Sequence, residues 1–550
     1  EGQDGERQQL ERRQPLGAAR EALFAVEEDD AAGIAAGLED LKAWLAGQER
    51  DANIEKLARL WIARSGRRPA KKRACALVAG NAAELSALCA EAAAALRANP
   101  EKAVFGDRIF YSPAGLYRPG NLAFVFPGSG NHYIGMGRGL WTRWPEILRR
   151  LDAENGYLRD QMAPGLFLPW RLTWEDGWQK EAELAIVDDY KSMVFASVSH
   201  GTAVSDLVRS LGISPSSMIG YSLGEVAALF AARAWTDRDE MLRRVNESSL
   251  FVSDLAGPCD AARRFWNLPK DEKADWVLGV IDRPAETVHL ALKGAERAAL
   301  LIVNAPLECV VGGYRKAVDN LVRGMGCVFL PLQGATVHFE AAKLVEKQYR
   351  ELHLLPTNPP SGIKFYSGAW RRPYEVTRES AADSVVAQAV HALDFPALIN
   401  RAYEDGLRVF VELGPQTSCA RMLDKILADR PHAARSACVK GQDAAGALLR
   451  LLARLLAERA PVDLDALYGR ETLAAGHRGR PAAGKLVKAQ LSAPAPSPLN
   501  WTPAPAAPAV AAAPARPAAA APLAQVAARA EAAPAIKPAA GDIPAPRPAA

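Results

Sequence analysis

Residues 217–233 read SMIGYSLGEVAALFAAR. Ser217–Ile219 is expected to form a short strand. Gly220-Tyr221-Ser222-Leu223-Gly224-Glu225 forms a tight turn, and a helix follows at once through AALFAAR. Strand, glycine-flanked turn and helix present a serine hydroxyl at the tip of an elbow. Gly220 and Gly224 relieve crowding around that turn. A free serine hydroxyl is a poor nucleophile and needs a base. The helix after Ser222 would aim backbone N–H groups at a reacting carbonyl, with the Leu223 N–H as the natural oxyanion donor.

The surrounding chain reads α/β. Upstream, NLAFVFP (121–127) is a buried strand by its continuous apolar run, and it breaks into Gly128-Ser129-Gly130. Downstream, RVFVE (408–412) is another buried strand, with a helix from about Ser418. Between elbow and downstream strand lie a strand at 276–281, a helix at 284–292, strands at 299–303 and 308–311, a helix at 315–323 and a strand at 327–330. That β-α-β-β-α-β order is the ferredoxin-like pattern. The expected fold is therefore an α/β-hydrolase-like large subdomain (119–275 and 341–440) with an inserted ferredoxin-like small subdomain (276–340). A small α/β domain (21–118) precedes it, and a further segment (441–490) follows. From Trp501 to Ala550 the chain has 24 Ala and 11 Pro, so 491–550 reads as an extended linker, and the polar residues 1–20 as another. The chain begins at Glu1 without a signal-peptide pattern and is read as a piece of something longer.

The base for Ser222 should be one of eight histidines. His338 follows the last strand of the insertion, across the cleft that two subdomains would form. His289 and His200 lie in helices and read as ordinary side chains. His132, in the glycine-rich turn, is a candidate wall of the site.

Composition narrows the function. The 550 residues are 49% apolar and 24% charged, which suits a folded chain of three to four units. Lys+Arg 67 against Asp+Glu 63 leaves +4, which argues against a nucleic-acid or membrane-surface binder. No apolar run is long enough for a transmembrane helix. Seven scattered cysteines without a CxxC argue against a disulfide framework or a zinc site, and point to a reducing, cytoplasmic compartment. No metal or bound cofactor is expected.

Five segments together resemble the acyltransferase domain of type I polyketide and fatty acid synthases. They are FVFPGSGNHYIGMGRGLW (124–141), GYSLGEVAALFAA (220–232), LIVNAPLECVVGG (301–313), VHFE (337–340) and FVELGPQTSCARML (410–423). Residues 23–45 and 67–92 resemble the linker between a ketosynthase and its acyltransferase, and 445–468, with LLAERAPVDLDALYG, resemble the usual segment after the acyltransferase. GSGNHY and GYSLGE are most similar to the acyltransferase of polyunsaturated fatty acid synthases. The resemblance implies a Ser222–His338 pair, with the histidine oriented by a backbone carbonyl. It places the second oxyanion N–H on Ser129, where Gln is usual. It also implies ping-pong acyl transfer from a coenzyme A thioester to the phosphopantetheine of an acyl carrier protein, between neighbouring synthase domains.

Two departures bear on the acyl group. Malonyl-type members carry an arginine that grips the free carboxylate, and a gapless count places it at Glu247, with Arg243 four residues earlier. The motif ending at the histidine is Ala335-Thr336-Val337-His338, unlike the malonyl or methylmalonyl patterns. With Glu247, His132 and Val337 as substrate-contacting candidates, the expected donor has no free carboxylate or carries a long chain. Malonyl transfer, thioesterase-like offloading and a non-catalytic docking role are the alternatives.

Overall fold

The computed structural model describes residues 20–468 apart from 49–51, 67 and 172. The linker readings at 1–20 and 491–550 lie outside the described residues except for Arg20, as does the stretch 469–490.

The strand LAFVF (Leu122–Phe126) is buried at every position, as a strand covered on both faces must be. It is central in a six-stranded sheet with the order Arg372–Tyr374, Lys364–Ser367, Ser217–Gly220, Leu122–Phe126, Val409–Glu412, Ala433–Ser436. All neighbours are parallel except the first pair. Phe126 is in register with Gly220, so the two glycine-rich turns leave adjacent parallel strands at the same carboxyl edge. Open parallel sheets bind ligands at that edge. The 21-residue helix Tyr190–Ser210 lies on the crossover between the two strands and buries most of its length.

The inserted segment forms a second sheet in the order Phe329–Leu332, Trp276–Ile281, Glu308–Tyr314, Ala298–Ala305, Leu393–Asp394. The first four strands pair antiparallel, with helices Ala285–Ala291 and Arg315–Met325 between them in sequence. The fifth strand, which the sequence reading did not anticipate, pairs parallel to Ala298–Ala305. It comes from the chain just after helix Arg378–Val390 and so ties the insertion to the elements of the large sheet.

Near the N-terminus, strands Ala22–Glu28, Arg73–Ala79, Ile109–Tyr111 and Val104–Phe105 form an antiparallel sheet. Helices Ala31–Ala46, Ile54–Ser65 and Ala82–Ala98 start at Asp30, Asn53 and Asn81, whose side chains accept first-turn N–H groups. The helix Ala444–Ala457 is buried at all but two positions and packs on this same sheet. Arg450 reaches Glu21 at 2.6 Å and Asp107 at 2.8 Å, and the Tyr468 hydroxyl accepts the Leu23 N–H at 2.7 Å. Replacing Arg450 by Ala leaves half-buried Glu21 with Arg108, at 2.5 Å, as its remaining partner, at a cost of about 1 to 2 kcal/mol. The exposed Asp107 adds little to that figure. A lowered denaturant midpoint with unchanged slope is the expected readout.

Candidate active site

The elbow is held by close backbone packing. Ser222 has φ 54°, a left-handed conformation that a non-glycine residue adopts only where its surroundings enforce it. A Cβ on Gly220 would lie 2.1 Å from the Glu225 nitrogen, and one on Gly224 2.0 Å from the Phe126 oxygen. Both glycines are therefore required, because the helix Gly224–Ala231 starts directly against the neighbouring strand. The Tyr221 N–H donates to the Phe126 carbonyl at 2.9 Å, and the Tyr221 hydroxyl donates to Asn304 Oδ1 at 2.6 Å, which anchors the elbow to the second sheet.

Ser222 Oγ and His338 Nε2 lie 2.7 Å apart. His338 Nδ1 is 2.5 Å from the Gln388 carbonyl, and the His338 N–H donates to the Ala389 carbonyl at 2.6 Å. A carbonyl only accepts, so Nδ1 carries the ring proton and Nε2 is the free acceptor facing the serine. Both carbonyls belong to the last turn of helix Arg378–Val390, the end at which a helix dipole favours positive charge. Burial pushes the His338 pKa down to about 4, although the Gln388 carbonyl opposes the shift. The ring is oriented by a carbonyl and not by a carboxylate. The Gln388 side-chain amide also donates to the Ser222 carbonyl at 3.2 Å, so one residue braces both partners. Sequence reading missed Gln388, because a backbone carbonyl carries no side-chain signature.

Leu223 and Ser129 both line the cavity that opens at Ser222. Neither backbone N–H donates to a backbone acceptor in the turns and loops of the described residues. Tyr190 lines the same cavity.

The cavity is narrow, with a volume of about 70 Å3. Its walls are apolar side chains from five helices, among them Val198, Val226, Met241, Val245 and Val385. Val337 lies in the wall beside His338. Among the described residues, no Lys, Arg, Asp or Glu lines it. Its second histidine, His353, is also driven down to about 4 by burial and is neutral at pH 7.

Two sequence candidates are placed elsewhere. Glu247 has a 63% exposed side chain, paired with Arg243 at 2.6 Å, and does not line the cavity. On helix Arg238–Glu247 the cavity-facing residues are Met241 and Val245, one turn apart. Glu247 lies two positions further on, about 200° around the helix from Val245, so the gapless count selected the solvent face. Replacing Glu247 by Ala is accordingly expected to leave acyl loading within about twofold of wild type, as read by intact mass. His132 lines a neighbouring cavity and lies edge-on to Phe167 at 6.3 Å. Of the other histidines, His200 is fully buried against Trp141, His289 is exposed, and neither lines the Ser222 cavity. Among the described residues no cluster of His, Cys, Asp or Glu could hold a metal ion, and no helix is long and apolar enough to cross a membrane.

No family model matches the chain. Among solved structures it is similar to the acyltransferase domain from module 8 of the salinomycin polyketide synthase. The TM-score is 0.63 at 17% identity, over 82% of this chain and 99% of that one. The acyltransferase domain of an iterative polyketide synthase in enediyne biosynthesis gives a TM-score of 0.56 at 18% identity, over 82% and 100%. In sequence the chain is 24% identical over 449 residues to a polyunsaturated fatty acid synthase component of Thraustochytrium sp., covering 77% of this chain and 22% of that one. It is also 24% identical over 357 residues to a mycocerosic acid synthase-like polyketide synthase of Mycolicibacterium smegmatis, covering 63% and 15%. The chain thus spans about a fifth of the length of such relatives. Its fold is similar to that of the acyltransferase domains of polyketide synthases, and its sequence is similar to a region of polyketide and polyunsaturated fatty acid synthases.

Proposed function

We propose that this chain moves an uncharged acyl group from a coenzyme A thioester, through an ester on Ser222, to the phosphopantetheine thiol of a carrier protein. The observation that carries the reading is the 2.7 Å Ser222–His338 contact at the head of an apolar cavity. Ser222 Oγ attacks the thioester carbonyl while His338 Nε2 takes its proton. The Leu223 and Ser129 N–H groups hold the oxyanion. The C–S bond breaks, His338 returns the proton to the leaving thiolate, and acyl-Ser222 remains. The carrier thiol then gives its proton to His338 and attacks the ester, restoring Ser222. No metal or bound cofactor takes part; coenzyme A and phosphopantetheine are substrate parts.

The uncharged donor follows from the walls. A malonyl carboxylate would enter apolar surroundings with no cation among the described lining residues, a loss of several kcal/mol. The arginines of the adjacent helix are already engaged. Arg243 pairs with Glu240 and Glu247, and Arg244 binds Glu240 and the carbonyls of Glu351, Leu352 and Leu354. Carrier protein and flanking synthase domains are the partners this reading implies.

The test is loading from an acyl-CoA, followed by addition of a holo carrier protein, with Ser222→Ala as the blank. The expected result is loss of the enzyme adduct with matching gain of acyl-carrier mass. Release of free acid at the same rate with and without carrier would make the chain a hydrolase.

A further inference from the structure

The cavity has a closed end, and its walls set a length. On one side the elbow helix presents Leu223, Val226 and Phe230 to the space. Phe230 is eight residues past Ser222, so this wall is roughly 12 Å long at helical rise. On the other side, ring follows ring. Tyr190 is 6.3 Å from Phe251, Phe251 is 5.9 Å from Tyr349, and Tyr349 stacks on His353 at 4.9 Å. His353 is 6.1 Å from Trp235, which is 5.5 Å from Phe230. The arc begins at Tyr190, which lines the cavity together with Ser129, and ends on the last residue of the elbow wall. The two walls therefore converge.

The end is rigid. Trp235 is fully buried behind Phe230, and its indole N–H donates to Thr357 Oγ1 at 2.9 Å. His353 Nδ1 is held by the Tyr349 carbonyl at 2.8 Å. Ser129, Ser222, His338 and Gln388 lie at the catalytic end, while Phe230 and Val226 offer an extended chain dispersion contacts and a stop.

We infer that Phe230, backed by Trp235 and His353, is the floor of an acyl-chain ruler that accepts unbranched acyl groups up to a defined length and excludes longer ones. This rests on the acyl-Ser222 reading above. With about 1.3 Å per methylene along a roughly 12 Å wall, the limit is an extended chain of about eight to ten carbons. Val226 is about halfway along that wall. A larger side chain there shortens the ruler, and a smaller one at position 230 lengthens it.

The experiment is intact-mass loading of the whole chain from a competing series of even-numbered saturated acyl-CoAs, two to sixteen carbons, with malonyl-CoA included. It is run on wild type, Val226→Phe and Phe230→Ala. Wild type is expected to load eight- and ten-carbon chains best, with at least a tenfold fall by fourteen. Val226→Phe is expected to move the loading optimum to about six carbons or fewer, read as a fall in the ratio of long- to short-chain adducts within one competition. Phe230→Ala is expected to extend loading toward fourteen; if this core truncation does not fold, the Val226 variant decides alone. A wild-type profile flat from four to sixteen carbons, or a Val226→Phe profile identical to wild type, overturns the ruler while leaving the acyl-serine intact. Absence of any Ser222 adduct from every donor, or malonyl as the dominant adduct, overturns the underlying reading itself.

Discussion

Replacing Ser222 by Ala is expected to abolish the covalent acyl adduct and to lower carrier acylation by about 10^4 to 10^6. No neighbouring hydroxyl can take over. Among the described residues Ser222 Oγ is the hydroxyl bonded to His338 Nε2, and the Tyr221 hydroxyl points away to Asn304. The fold should survive, because Ala has the same backbone cost as Ser at φ 54° and the elbow is fixed by Gly220 and Gly224. A melting temperature within about 2 °C of wild type would separate loss of chemistry from loss of structure. Residual adduct in this variant would remove Ser222 as the nucleophile.

Replacing His338 by Ala is expected to cost about 10^3 to 10^5 in the acylation rate, since it removes the base and leaves the oxyanion donors in place. The pH profile carries the sharper signature. Neutral imidazole is the competent form, and burial holds its pKa near 4, below the ordinary 6.5. Acylation should therefore stay level from pH 7 down to about 5 and be halved near 4. A limb near 6.5 would mean that the working ring is solvated. A limb near 7 would report Glu225. That buried carboxyl stands behind the elbow, bonded to Ser384, the Gly368 N–H and Tyr374, and burial raises its pKa to about 7. Measuring kcat/KM against pH in wild type and Glu225→Gln tells the two groups apart, because only a Glu225 limb disappears in the variant.

The sequence made some of this legible and hid the rest for identifiable reasons. Leu122–Phe126 and Val409–Glu412 are buried on both faces, so they read as strands from apolar runs alone. Lys364–Ser367 (KFYS) and Ala433–Ser436 (AARS) carry no such run. The sheet imposes their extended form through parallel pairing with Ser217–Gly220 and Val409–Glu412. Ser222 announced itself through the glycines around it, and His338 through its position after the insertion. Gln388 contributes a backbone carbonyl, which any residue could supply, and its place is fixed by tertiary structure 50 residues from His338. Glu247 failed as a candidate because counting along a chain ignores helical rotation: Val245 and Met241 turn inward, and Glu247 does not. The absence of a cation from the described cavity wall, which Glu247 was meant to signal, is instead a property of side chains contributed by five helices.

The most direct test of the account is competitive loading from equimolar malonyl-CoA and octanoyl-CoA, with the adduct mapped by peptide mass. The account predicts an octanoyl ester on the peptide containing Ser222, in at least tenfold excess over malonyl. A malonyl ester at Ser222 in equal or greater amount would contradict it, because a carboxylate would then have found a partner that the apolar cavity does not offer.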